Sequence, residues 1–272
     1  MPFQRPSNRI KATLSSLVLM LLVAGCADDG VVYDTPQNPV SGNWQVSATG
    51  SVALPRISGS LTDGTTNTGS TPVTGIFHAD ATTGCATVTD PISMSGSTDS
   101  NDVTTLTGSV AGGTLTITGT LSADGRSLSN ATMNVSGGQC AFVAAAQATV
   151  QNYSSVTGTY AGSFSDATGP VMNVTATLSQ SPDGDTDGNF TLSGTGSFGT
   201  NPCFISPVTV VNSAVSGGNF ILTYTDNTKG NSVTATGTFS PDGTTLTVTN
   251  WSLTGPCGAD QGTGTLTKQS GS

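Results

Sequence analysis

Gly119-Thr-Leu-Ser-Ala-Asp-Gly-Arg-Ser-Leu128 and Gly237-Thr-Phe-Ser-Pro-Asp-Gly-Thr-Thr-Leu246 match at six of ten positions and lie 118 residues apart. Other landmarks keep nearly the same offset. Cys85 and Cys203 are 118 apart, Cys140 and Cys257 are 117 apart, and Gly42-Asn-Trp44 precedes Gly158-Thr-Tyr160 by 116. Four landmarks at nearly one offset mark an internal duplication. The chain therefore divides into two tandem domains, 42–152 and 153–268, followed by a short tail, 269–272.

Within each unit the apolar residues recur with period two. Leu115-Thr-Ile-Thr118 and Leu246-Thr-Val-Thr249 alternate, and both are bounded by Gly, Asn or Asp. That is the signature of half-buried strands. Asp124-Gly125 and Asp242-Gly243 are hairpin turns, because both residue types tolerate positive φ. The second unit predicts strands near 158–165, 171–179, 189–198, 204–211, 219–225, 232–239, 244–253 and 262–268. About eight consecutive strands joined by tight turns give an all-β fold of two antiparallel meanders. An up-and-down barrel is preferred to a sandwich for each. Each unit opens on Gly-x-aromatic, and the second closes on Gly264-Thr-Leu-Thr267. This is loosely similar to lipocalin- and avidin-like barrels, in which first and last strands pair. The similarity is architectural and carries no ligand-binding motif.

Composition narrows the chemistry. The 272 residues hold 47 Thr and 35 Gly, and all 16 acids are Asp. Without Glu and with few other charged helix formers, helices are disfavoured and β-branched residues dominate. One His and five Cys leave few groups able to act as acid, base or nucleophile near neutral pH, so the chain is not read as an enzyme.

Residues 1–25 form three zones. Arg5, Arg9 and Lys11 are positive, Leu14 to Ala24 is apolar apart from Ser15 and Ser16, and Val23-Ala24-Gly25-Cys26 ends the run. The apolar stretch falls well short of the ~20 residues a spanning helix needs, so an export signal fits better. The tetrapeptide resembles the lipobox of bacterial lipoproteins. That resemblance implies cleavage before Cys26, lipidation of its thiol and a membrane partner reached through the lipid. Two or three acyl chains anchor stably. Ala27, in place of Asp, implies sorting to the outer membrane under the rule known for enteric bacteria. Residues 26–41 read as a lipidated tether, with Pro36 and Pro39 keeping it extended. Beyond Cys26 only Arg56, Arg126, Lys229 and Lys268 oppose the 16 acids, so 4 − 16 leaves a formal charge of −12. No basic patch is left for a nucleic-acid partner.

Removing Cys26 leaves two cysteines per unit, 55 residues apart in the first and 54 in the second. Of three connectivities, only Cys85–Cys140 with Cys203–Cys257 respects the duplication. Disulfides suit an oxidising, exported location. A metal site is disfavoured, because neither CxxC spacing nor clustered His is present.

Asp183-Gly-Asp-Thr-Asp-Gly-Asn189 resembles the first half of an EF-hand calcium loop. Asp183, Asp185, Asp187 and Asn189 would be the candidate ligands of a weak Ca2+ site, since Gly194 stands where a bidentate Glu belongs. A solvated hairpin tip explains the same residues through turn geometry alone. His78, in Ile76-Phe-His-Ala-Asp80, alternates with Phe77 and is expected on an exposed or rim position. No nucleophile elbow accompanies it. Trp44, Tyr160, Phe164, Phe198, Phe220, Phe239 and Trp251 read as core, giving the second unit the better-packed interior. Thr-rich strands such as Gly113–Thr120 resemble the Thr arrays of ice-binding solenoids, but here the repeat is a whole domain.

These readings converge on a lipid-anchored protein of the bacterial envelope with a non-catalytic binding or structural role at the cell surface, facing an unidentified protein or surface partner. The alternative is a carrier of a small apolar molecule, for which the Ala- and Val-rich run 141–150 would leave space in the first unit. A lesser reading is an extracellular hydrolase, with Asp80 and Asp90 as its carboxylates.

Overall fold

The computed structural model describes residues 39–67, 69–82, 85, 88 and 91–271. Its first half is a meander of β1 (Gly42–Ala48), β2 (Arg56–Asp63), β3 (Thr71–Ala81), β4 (Ile92–Thr98), β5 (Val103–Val110), β6 (Gly113–Leu121), β7 (Ser127–Ser136) and β8 (Ala146–Tyr153). The second half repeats it with β9 (Gly158–Asp166), β10 (Gly169–Gln180), β11 (Phe190–Ser197), β12 (Val208–Ser216), β13 (Asn219–Asp226), β14 (Asn231–Phe239), β15 (Thr245–Thr254) and β16 (Asp260–Lys268). Within each half, every strand pairs antiparallel with its chain neighbours. Each half closes when its last strand pairs with its first, Val46 opposite Val150 and Gly162 opposite Leu266. The result is two closed eight-stranded barrels.

Closure follows from the alternation. In β6 the residues Leu115, Ile117 and Leu121 point inward and are buried, while the intervening threonines face out. A closed barrel removes the free edges that such Thr- and Val-rich strands would otherwise offer to other chains. The duplication reaches the irregularities too. Register slips between Thr118 and Thr120 against β7, and between Thr236 and Gly237 against β15, at the same strand pair of each barrel.

Both barrels are filled and plugged. The end at which each first strand begins, its entry end, is stopped by a valine four residues before the aromatic. Val40 and Val156 are buried, Trp44 Nε1 donates to the Val40 carbonyl, and Tyr160 Oη donates to the Gly243 carbonyl, both at 2.5 Å. Barrel packing therefore starts at Val40, inside the stretch read as tether. Ser41 is likewise engaged, its N–H and hydroxyl both donating to Asp63. At the far end the β3–β4 and β7–β8 loops sit four strands apart around an eight-strand ring, on opposite sides of the mouth. Cys85 joins Cys140 across it, with Cα atoms 5.0 Å apart. Cys203 and Cys257 do the same for the second barrel at 5.9 Å. There Asn231 knits both lid loops, donating to the Cys203 carbonyl and accepting from the Cys257 N–H. Phe198 and Phe204 pack beneath them with ring centroids 4.4 Å apart.

The run 141–150 does not hollow out the first barrel. The cavity lined by Trp44, Val46, Phe77, Ile117 and Val150 measures only about 10 Å³. Residues 141–145 stay in the far-end loop, where Val143 is fully exposed, while Trp44, Phe77, Leu115 and Met133 close up inside.

Candidate functional site

The inward–outward alternation breaks at β2. Ser58 and Ser60 point outward, yet both are buried, along with Ile57, Gly59 and Leu61. The cover is the entry end of the second barrel, which packs on the outer wall of β1, β2 and β3. Small residues on both sides make this approach possible. A Cβ on Gly188 would collide with the Ile76 carbonyl, and one on Gly217 would press on Gln45 and Ser58.

Asn43 and Gly217 bond reciprocally across the seam. The Asn43 amide donates to the Gly217 carbonyl at 2.8 Å and accepts from its N–H at 2.6 Å. The side chain thereby satisfies the backbone of the β12–β13 turn as a neighbouring strand would. Ser216 Oγ donates to Ser58 Oγ at 3.1 Å, and the Ser154 N–H donates to the Pro241 carbonyl at 2.8 Å. Tyr153 lays its ring edge-on to Phe239, centroids 5.3 Å apart, and its hydroxyl donates to Gln45 at 3.2 Å.

A charged cluster occupies this seam. Asp80 is its hub, with a side chain only 7% exposed. Its Oδ1 accepts from Ser58 Oγ at 2.6 Å and faces His78 Nε2 at 3.3 Å. Its Oδ2 accepts from Gln45 Nε2 at 3.3 Å and lies 3.2 Å from Arg56 Nε. Burial pushes the Asp80 carboxyl up, but the bonds from His78 and Ser58 and the charges of His78 and Arg56 outweigh it and hold it below the usual value. His78 moves the other way. Its bond to Asp80 raises it, burial opposes, and the Asp187 carbonyl and the charges of Asp80 and Asp185 add to the rise.

His78 therefore faces outward from the strand, as alternation requires, but it is not a rim residue. With the β10–β11 loop packed on it, its side chain is 31% exposed. Together Ser58, His78 and Asp80 hold the residue types of a hydrolytic triad without its geometry. Ser58 is fully buried and gives its proton to Asp80 rather than to His78, whose Nε2 lies 3.5 Å away. A triad needs an accessible hydroxyl bonded to the imidazole, with the carboxylate on the far nitrogen. Asp90, the other carboxylate of the hydrolase reading, lies outside the described residues, as do Cys26 and the export signal.

The acidic loop is the surprise. Asp183, Asp185 and Asp187 do not converge on a common point, and among the described residues no group of three or more His, Cys, Asp or Glu is placed to share a metal ion. Asp185 Oδ1 instead accepts from the N–H groups of Asp187 and Asn189, both at 2.9 Å. The Asp-x-Asp-x-Asn spacing here makes an Asx turn. That turn carries the Asp187 carbonyl to His78 Nδ1 at 3.0 Å and puts Gly184 against Ser60.

Sequence reading had singled out His78, Asp80 and the acidic loop separately. It missed Asn43, Gln45, Ser58, Gly217 and Tyr153, which complete the seam. The available signal was Ser58-Gly59-Ser60, a strand segment with no bulk on either face. Compared with protein-family models, with curated proteins and with solved structures, the chain matches none.

Proposed function

We propose that this is a lipid-anchored envelope protein whose paired barrels serve as a non-catalytic binding or structural module at the bacterial cell surface. Residues 1–25 direct export, Cys26 carries the lipid, and the outer membrane is the expected destination. The observation that carries the reading of the barrels is their filled interior. A cavity of about 10 Å³ in the first barrel compares with the roughly 300–1,000 Å³ of small-molecule sites. The carrier alternative needs such a volume. The outward faces, lined mostly by Ser and Thr, are then what a partner meets. Two disulfides accord with an oxidising compartment.

The test has two readouts on the same cells. Metabolic labelling with an alkyne fatty acid should mark the wild-type chain and leave Cys26→Ser unmarked; equal labelling of both would overturn the anchor. Proximity labelling from the surface-displayed barrels should then recover envelope neighbours above background. Background-level recovery, or a stoichiometric small-molecule adduct in native mass spectrometry, would overturn the partner-binding role.

A further inference from the structure

His78 is the single histidine of the chain, and its two ring nitrogens face different barrels. Nε2 lies 3.3 Å from Asp80 Oδ1 on its own strand. Nδ1 lies 3.0 Å from the Asp187 carbonyl of the β10–β11 loop, which belongs to the second barrel. Both partners accept and neither has a proton to give. A neutral imidazole carries one N–H and satisfies one of them, whereas the imidazolium satisfies both.

We propose that His78 is a proton-operated latch between the barrels: protonated, it ties the β10–β11 loop to β3, and on deprotonation it releases the loop. The order of release follows from the acceptors. A carboxylate holds a hydrogen bond more strongly than a carbonyl, so the proton that remains stays on Nε2 toward Asp80. Nδ1 then presents its lone pair to the Asp187 oxygen, and the contact across the seam turns repulsive.

Burial works against the cation, while the surrounding polar and charged groups favour it with one exception. Asp80 from β3, together with the Asp185 carboxylate and Asp187 carbonyl from the loop, favours the cation. The Ser58 hydroxyl of β2 is neutral, and Tyr153 bonds Gln45 rather than the ring. Arg56 of β2 opposes, but it is spent on the other oxygen of Asp80. Water reaches the ring, because His78 lines an open groove of about 240 Å³ with Asn189, Asn219 and Ile221. Since docking holds the proton more tightly than the undocked chain does, the latch contributes fully below pH 6.5, the ordinary histidine value. It fades as pH rises through the raised docked value. The inference rests on the barrel contact and is independent of the lipid anchor.

The single imidazole makes the test direct. The full chain, 15N-labelled in detergent micelles with EDTA present, is titrated from pH 5 to pH 9 by NMR. The ring should titrate above 6.5, lose its proton from Nδ1, and move the Asp187 and Gly188 amides with the same midpoint. Exchange of the Gly217 N–H, corrected for base catalysis, should quicken about tenfold across that midpoint. In His78→Gln those amides and that exchange rate should no longer depend on pH. A ring that titrates at or below 6.5, that keeps the Nδ1 proton, or whose titration leaves the loop amides still would overturn the latch.

Discussion

Tyr224 stands in the core of the second barrel with its ring edge-on to Phe198 and its hydroxyl without a hydrogen-bond partner among the described residues. Burial pushes this phenol far up and pushes that of Tyr160 to about 12. A buried hydroxyl without a partner costs stability, so Tyr224→Phe should raise stability by about 1 kcal/mol. The urea midpoint should rise with unchanged slope, and a fall would disclose a hydrogen bond that the fold supplies. The sign with pH is fixed as well. Both phenols stay protonated in the fold while an unfolded tyrosine ionises near 10, so their contribution is whole below that value and is lost as pH climbs toward 12. Asp80 is the opposite case, a buried carboxylate with its acceptor sites taken. Asp80→Ala strands Ser58 and Arg56 and should cost about 3 kcal/mol. Asp183→Ala, on the exposed tip, should stay within about 0.5 kcal/mol. Equal costs in thermal melts would remove Asp80 as the hub. In the sequence these two aspartates look alike, because residue type records neither the barrel that covers Asp80 nor the Ser58, Gln45, His78 and Arg56 side chains that converge on it.

The β12–β13 turn does at the level of an element what Asp80 does at the level of a residue. Gly217 has φ 51° and lies against Gln45 and Ser58, whereas Gly199 has φ 59° and only the Cβ and carbonyl of Asn173 nearby, no closer than 3.5 Å. Alanine at either position meets the left-handed penalty of roughly 1–2 kcal/mol. Only Gly217→Ala also wedges the seam and breaks the Asn43 pairing. It should therefore cost more than Gly199→Ala and speed exchange at Gly188, while Gly199→Ala leaves Gly188 unchanged; identical exchange in both would show that the turn does not hold the barrels together. Period-two reading found all eight strands of the second unit because turn signals flank each one. Its one large error shows the limit of the signal. The fourth strand begins at Val208 rather than near 204, because Phe204 folds into the lid and Pro207 lacks the N–H a ladder needs. Alternation reports burial, and it cannot distinguish a side chain in a barrel wall from one stopping its mouth.

At the scale of the whole molecule the duplication was legible because cysteines, Asp-Gly turns and Gly-x-aromatic openings recur at a fixed offset. The docking of one barrel on the other was not, because its face is built from Ser, Gly and Asn, residues common on any exposed strand or turn. What the duplication conceals is an asymmetry of core. The first barrel rests on Trp44 and Phe77 among aliphatic residues, whereas the second buries Tyr160, Phe164, Phe190, Phe198, Phe204, Phe220, Tyr224, Phe239 and Trp251. Each core forms its own cluster, so each barrel has its own unfolding free energy, joined through a polar seam. A disulfide closing a loop of this size stabilises by about 4 kcal/mol in the chain-entropy model. Losing that is most serious where apolar burial is least. Calorimetry with a reductant should therefore split the melt, the first barrel unfolding at the lower temperature and the second surviving above it. Replacing Cys85 and Cys140 by serine should reproduce the low transition without reductant. The matching pair Cys203 and Cys257 should lower the upper transition and leave its aromatic core folded at ambient temperature. If the second pair unfolds the protein first, the aromatic cluster is not what carries the second barrel, and the weight falls on the lid that Asn231 ties across its mouth.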